Sequence, residues 1–200
     1  MSLISLDFTA ERSEPLLRRM TMGLRFGRKS GTEATVTIGA QLTSTQKGKV
    51  TEQMVASALL IASEGRLAPF VPLADDHGLD LIVLDKVTRR SVAIQVKSAI
   101  ANASRDTVQF DVRKQTFSEA EGEYLLMVVF DPARMALAAS WLIPMALVPT
   151  LSTEQPEKFA LVPSLKATSK DRCRPYRHDD AHALVAALLA ALSDEPRSTA

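Results

Sequence analysis

Gly78–Lys97 reads GLDLIVLDKVTRRSVAIQVK: two aliphatic, β-branched-rich runs joined by a mostly polar stretch. Leu79–Asp85 and Ser91–Ser98 have strand length, and Lys86–Arg90 joins them as a hairpin. Strand side chains alternate faces, so Leu79, Leu81 and Val83 point one way and Asp80, Ile82 and Leu84 the other. On the returning strand Val92, Ile94 and Val96 share a face, leaving Ala93, Gln95 and Lys97 on the opposite one. Register decides which sets meet. An even loop, around Val87-Thr88 or Thr88-Arg89, sets Asp80 across from Gln95 or Lys97; an odd loop sets it across from Val96. The even registers unite Leu79, Leu81, Val83, Val92, Ile94 and Val96 in one apolar face, and are the expected ones. An acid, an amide and an amine then converge among Ile82, Leu84 and Ala93. Such groups are costly to bury unless paired or liganded.

Outward from the hairpin, the pattern is of strands in the middle and helices at the flanks. Ser44 or Thr45 caps a helix running to about Glu64, stopped by Gly65. Val50, Met54, Ala58 and Ile61 fall on one of its faces. Glu52 heads a second apolar stripe through Val55, Ala56 and Leu59. Taken alone, Glu52 also reads as first-turn charge complementing the helix dipole. Arg66–Pro72, punctuated by Pro69 and Pro72, predicts a short or edge strand. Thr107–Arg113 alternates as a strand does, Tyr124–Phe130 is a continuous apolar run and hence a buried strand, and Ser140–Ile143 is a weaker one. Asp179 or Asp180 caps a last helix ending near Leu192. The fold class is a mixed α/β sheet covered by helices. Residues 1–43 read as an appendage with a short helix over Glu14–Arg25, residues 44–150 as the core, and 151–200 as a basic segment with a C-terminal helix packed on that core.

The composition is that of an ordinary soluble domain: 46% apolar, 24% charged, net charge +1. Overall charge therefore points to no polyanionic partner, but its distribution is uneven. Residues 158–177 carry Lys158, Lys166, Lys170, Arg172, Arg174 and Arg177 against Asp171 alone. Such a patch suits nucleic-acid contact and is equally what a solvated surface looks like. One cysteine, Cys173, excludes an intramolecular disulfide framework and a multi-cysteine zinc site. No apolar run reaches the roughly 18 residues a bilayer requires, and Arg18–Lys29 precedes no apolar stretch of a signal peptide. The expected compartment is the cytoplasm.

A helix bearing Glu52, then Gly78-Leu79-Asp80 leading an apolar strand, then Gln95-Val96-Lys97 after a hairpin, resemble the PD-(D/E)XK nuclease superfamily. The Q-x-K form is similar to that of Mrr-type and resolvase-like members. The resemblance covers about residues 45–130 and implies a restriction-endonuclease-like α-β-β-β-α-β core with a central mixed sheet flanked by helices. It implies hydrolysis of nucleic-acid phosphodiesters, DNA first, with Mg2+ or Mn2+. Asp80, Gln95, the Val96 carbonyl and Glu52 would be the metal ligands, and Asp80, Gln95, Lys97 and Glu52 the catalytic set. Magnesium takes hard oxygen donors, which this set supplies. Lys97 would orient the attacking water or stabilise developing charge. Cleavage of both strands in that superfamily often needs a homodimer. Gln95 stands where most members carry Glu or Asp, which removes one negative charge and leaves no general base there. The alternative is an inactive module of the same fold that binds nucleic acid or a protein partner. An ordinary structural domain would instead pair Lys97 with Asp80 or Glu52 in a buried ion pair.

Other candidates have simpler explanations. Asp75, Asp76 and His77 are turn and loop residues before Gly78. His178 and His182 have i, i+4 spacing, but the Asp pair between them marks a helix start better than a zinc site. Gln115, beside Arg113 and Lys114, either reaches substrate or begins a surface helix. Trp141 and Tyr124 are core aromatics. No Gly-rich phosphate loop and no G-x-S-x-G elbow occurs.

Overall fold

A computed structural model describes residues 43–73, 78–101 and 105–194. The N-terminal appendage up to residue 42 and the turn residues Asp75, Asp76 and His77 lie outside the described residues. Helix α1 (Ser44–Ala62) is capped by Thr43, one residue before the first of the expected caps, Ser44 and Thr45. The Gln46 N–H donates to the Thr43 hydroxyl, and the Thr43 N–H donates to the Gln46 side chain, a reciprocal capping box. It ends in a Schellman turn, with Glu64 N–H bonded to the Ile61 carbonyl and Gly65 N–H to that of Leu60.

Three antiparallel strands follow: β1 (Leu67–Phe70), β2 (Leu81–Asp85) and β3 (Ser91–Ile100). Next come β4 (Phe110–Arg113), β5 (Glu123–Asp131), β6 (Ala136–Pro144), the single-turn α2 (Val148–Leu151), β7 (Thr153–Glu154), β8 (Lys158–Leu161), β9 (Arg177–His178) and α3 (Ala181–Asp194). The central sheet has six strands in the order β1-β2-β3-β5-β6-β9, and β3 with β5 is parallel, so the sheet is mixed as expected. A three-stranded sheet, β4-β8-β7, forms separately.

Each face of the central sheet is covered. Leu81, Val83, Val92, Ile94 and Val96 pack with Val55 and Leu59 of α1 and with Leu184, Leu188 and Leu192 of α3. On the other face Leu125, Met127, Val129, Trp141 and Ile143 pack under Phe110, Val112, Phe159 and Leu161 of the small sheet. Burial on both sides explains the unbroken apolar run of β5.

Several expectations change. The expected α1 stripe is the wrong one: Val50 is 41% and Ile61 76% exposed, while Val55 and Leu59 are buried behind Glu52. Both stripes obey the helical period, so periodicity cannot choose between them. Among the described residues no helix crosses from β3 to its parallel neighbour β5, and that connection carries β4 and a 3-10 turn, Lys114–Thr116. The segment read as a weak strand at Ser140–Ile143 is the long β6. Asp180 does cap α3, accepting from the Ala183 N–H at 2.8 Å. Among the described residues no helix is long and apolar enough to cross a membrane.

Candidate active site

The hairpin takes the even register centred on Val87-Thr88, pairing Leu81 with Ile94 and Val83 with Val92. Gln95 and Lys97 therefore face away from the helices. Asp85 fixes the turn. It is 1% exposed and accepts from Arg66 Nε at 3.0 Å, Arg66 Nη2 at 2.8 Å, the Val87 N–H and the Thr88 hydroxyl. The Arg66 guanidinium and these bonds outweigh burial and hold its carboxyl well below the usual range. Asp85 was not singled out from sequence. Its position at a turn was visible, but its partner Arg66 lies on another element.

The β2–β3 ladder stops at Leu81, whereas β3 runs on to Ile100. Past Ile94 the β2-side edge of β3 is open. Asp80 fills the first step: its N–H donates to the Ile94 carbonyl at 3.0 Å, and its Oδ2 accepts from the Val96 N–H at 2.7 Å. Burial pushes the Asp80 carboxyl up, and nearby Glu52 adds to this; the Val96 N–H and the charges of Lys97 and Lys49 work against it without winning.

Gln95 is 4% exposed, and among the described residues neither its Nε2 nor its Oε1 has a hydrogen-bond partner. A buried unpartnered polar group costs about 1–3 kcal/mol. Gly78 makes room for this amide. Its φ is +75°, in the left-handed region, and a Cβ there would stand 2.2 Å from Gln95 Nε2. Glu52, 8% exposed, accepts from Lys49 Nζ at 2.8 Å. Its helix packs on the opposite face from Gln95, so Glu52 meets the site at the open edge of β3 instead of from above the sheet. Lys97 is half-buried and forms no hydrogen bond or ion pair among the described residues. The buried Lys97 pair expected of a purely structural domain is thus not the arrangement found.

All four residues, with Val96, line one cavity of about 690 Å³. Its far wall was not anticipated: Asp111 and Arg113 come from β4, Lys158 from β8, and Thr116 from the 3-10 turn. Lys158 Nζ holds Asp111 at 2.7 Å. Burial would raise the Asp111 carboxyl, but hydrogen bonds from Lys158 and Gln109 bring it below its usual value. Arg113 is exposed and forms no ion pair among the described residues. Lys158 belongs to the basic stretch noted in the sequence and Arg113 to a polar one, yet only the β4–β8 pairing brings them here.

A helix, three antiparallel strands and a strand parallel to the third, with Asp80 and Gln95-Val96-Lys97 at the open edge, is the implied core less its crossover helix. No family model and no curated protein matches the chain. Among solved structures, this chain is similar to a bacterial homing endonuclease, at 18% identity and TM-score 0.49, over 76% of this chain and 96% of that one. It is also similar to a Holliday junction resolvase of the archaeal hyperthermophile Archaeoglobus fulgidus, at 14% identity and TM-score 0.36, over 64% of this chain and 96% of that one.

The residues present suit a hard divalent cation. Asp80, Glu52 and the Gln95 amide are oxygen donors, and the amide lacks any other partner. Among the described residues no three His, Cys, Asp or Glu side chains gather as metal ligands, so the Gln95 oxygen is needed to complete a set.

Proposed function

We propose that this chain is a metal-dependent nuclease hydrolysing phosphodiester bonds of nucleic acid, with DNA as the expected polymer. One observation carries the reading: a buried Gln95 amide with no hydrogen-bond partner among the described residues, in one cavity with Asp80, Glu52 and Lys97. Asp80, Gln95 Oε1, the Val96 carbonyl and Glu52 would hold Mg2+ or Mn2+. Such an ion, when bound, polarises a phosphoryl oxygen and makes water a nucleophile near neutral pH. The chain's own contribution is to position charge. Asp80 is fixed by the Val96 N–H before any ligand arrives. The Lys97 ammonium stands ready to orient water or to stabilise charge developing on phosphorus. Arg113 and Lys158 add positive charge on the opposite wall, where phosphate oxygens need it.

The Lys49–Glu52 ion pair supports a second reading. With Glu52 so occupied and Gln95 neutral, Asp80 is the one carboxylate of the set that forms no ion pair among the described residues, which suits a module that binds nucleic acid without cutting it. Incubation with plasmid and single-stranded DNA plus Mn2+, beside Asp80→Ala, separates the two. The nuclease cuts and the variant does not. DNA retention without cleavage by either protein selects the binding module, and equal cleavage by both points to contamination.

A further inference from the structure

A second cavity of about 520 Å³ adjoins the first, and Gly78, Gln95 and Thr116 line both. The Gln95 amide therefore stands between the two, with both polar atoms unsatisfied. If its oxygen serves a cation on one side, its NH2 still requires an acceptor. The two cavities differ in charge. Lys97, Arg113 and Lys158 line the first. Among the described residues the second has no Lys or Arg, and Glu123 is its one acid. A phosphate belongs in the first and is repelled by the second. The second instead offers two aromatic rings, Phe117 and Tyr124, with the polar groups of Gln95, Gln115, Ser118 and Glu123 around them. Phe117 is held edge-to-face against Phe159, with ring centroids 4.9 Å apart. A flat ring bearing N–H donors and carbonyl or ring-nitrogen acceptors matches such walls: aromatics stack any base, an amide pairs with its edge, and a carboxylate accepts from its amino group.

We infer that the second cavity receives a nucleobase adjacent to the phosphate held in the first, so that the preferred substrate carries an unpaired nucleotide at the cleavage point. A base inside a duplex cannot enter without leaving its stack, and that cost is least where the base is already unpaired. This rests on the nuclease reading for the position of the phosphate.

The test uses the full chain with Ca2+ and fluorescence anisotropy on three labelled duplexes of one sequence: fully paired, with a single unpaired nucleotide, and with an abasic site in place of that nucleotide. The base-bearing bulge is expected to bind at least roughly tenfold tighter than the abasic bulge, within the range for stacking one base on aromatic residues, and tighter than the paired duplex. Phe117→Ala should reduce that ratio to about threefold or less without changing affinity for the abasic bulge. Should Phe117→Ala fail to fold, Glu123→Gln, a near-isosteric change on the rim, should lower the ratio in the same direction. Equal affinity for base-bearing and abasic bulges, a ratio that survives both substitutions, or no binding to any of the three overturns the inference. Cleavage in Mn2+ is scored apart: cutting without base discrimination removes the pocket and keeps the nuclease, and discrimination without cutting does the opposite.

Discussion

Asp80 and Gln95 are each less stable where they are than the fold alone would require. Burial raises the Asp80 carboxyl, so its ionised form is disfavoured in the folded chain. A carboxyl raised on folding contributes fully below its unfolded value, about 4, and that contribution is lost as pH rises through the folded value. Asp80→Asn, whose side-chain oxygen can still accept from the Val96 N–H, should therefore stabilise the metal-free protein at pH 7 by up to about 1 kcal/mol. The gain should shrink toward pH 4, as read by urea denaturation, while cleavage falls by two orders of magnitude or more, of the order a lost charge-stabilising group costs. A loss of stability in this variant at pH 7 would contradict the assigned burial. Gln95→Leu removes two unpartnered buried atoms at similar volume and should stabilise by about 1–3 kcal/mol while abolishing any rise in Tm with Mn2+. That Glu52, Asp80, Gln95 and Lys97 line one cavity was legible in the sequence because strand alternation and one helix fix them locally. Asp111, Arg113 and Lys158 were not, because the β4–β8 register is set by contacts some fifty positions apart, such as Phe110 with Leu161.

Among the elements, the β2–β3 hairpin decides the site, and its register followed from keeping one apolar face intact. What the apolar pattern did not reveal is the lock at its tip, where Asp85 accepts four hydrogen bonds from Arg66, Val87 and Thr88. Removing one partner of a buried, hydrogen-bonded pair costs roughly 3–5 kcal/mol. Arg66 is 40% exposed and can return to solvent, so Asp85→Ala should cost less, about 2 kcal/mol. The Asp85 carboxyl lies below its usual range, so its contribution is present above about pH 4 and is lost as pH falls through the folded value. Wild type and variant should thus differ most at neutral pH and converge only in strong acid; a constant difference down to pH 2 would show that the bonds act independently of the carboxyl's charge. Helix α1 teaches the opposite lesson. Two apolar stripes compete on it, and only the positions of β1, β3 and α3 make Val55 and Leu59 the buried ones.

Across the whole molecule, a net charge of +1 conceals a local arrangement in which two layers present cations to one cavity: Lys97 from the central sheet, Arg113 and Lys158 from the small one. The sequence showed the basic stretch but not the second layer, since strands as short as β7 and β8 leave no clear periodic signal. If this wall holds phosphates, its residues must act through counterion release, independent of base sequence. Arg113 is exposed and without an ion pair among the described residues, so Arg113→Ala should leave Tm within about 1 °C and reduce the slope of log affinity against log salt by about 1. Lys158 differs because it also neutralises Asp111 at 2.7 Å. Lys158→Ala removes a cation and leaves an uncompensated carboxylate facing the phosphate, so DNA affinity should fall further than with Arg113→Ala. Adding Asp111→Asn to Lys158→Ala should recover the difference between them, leaving only the loss of one phosphate contact. Filter binding across 50–200 mM salt measures all of these. Unchanged slopes in both single variants would mean that the polymer does not cross this wall.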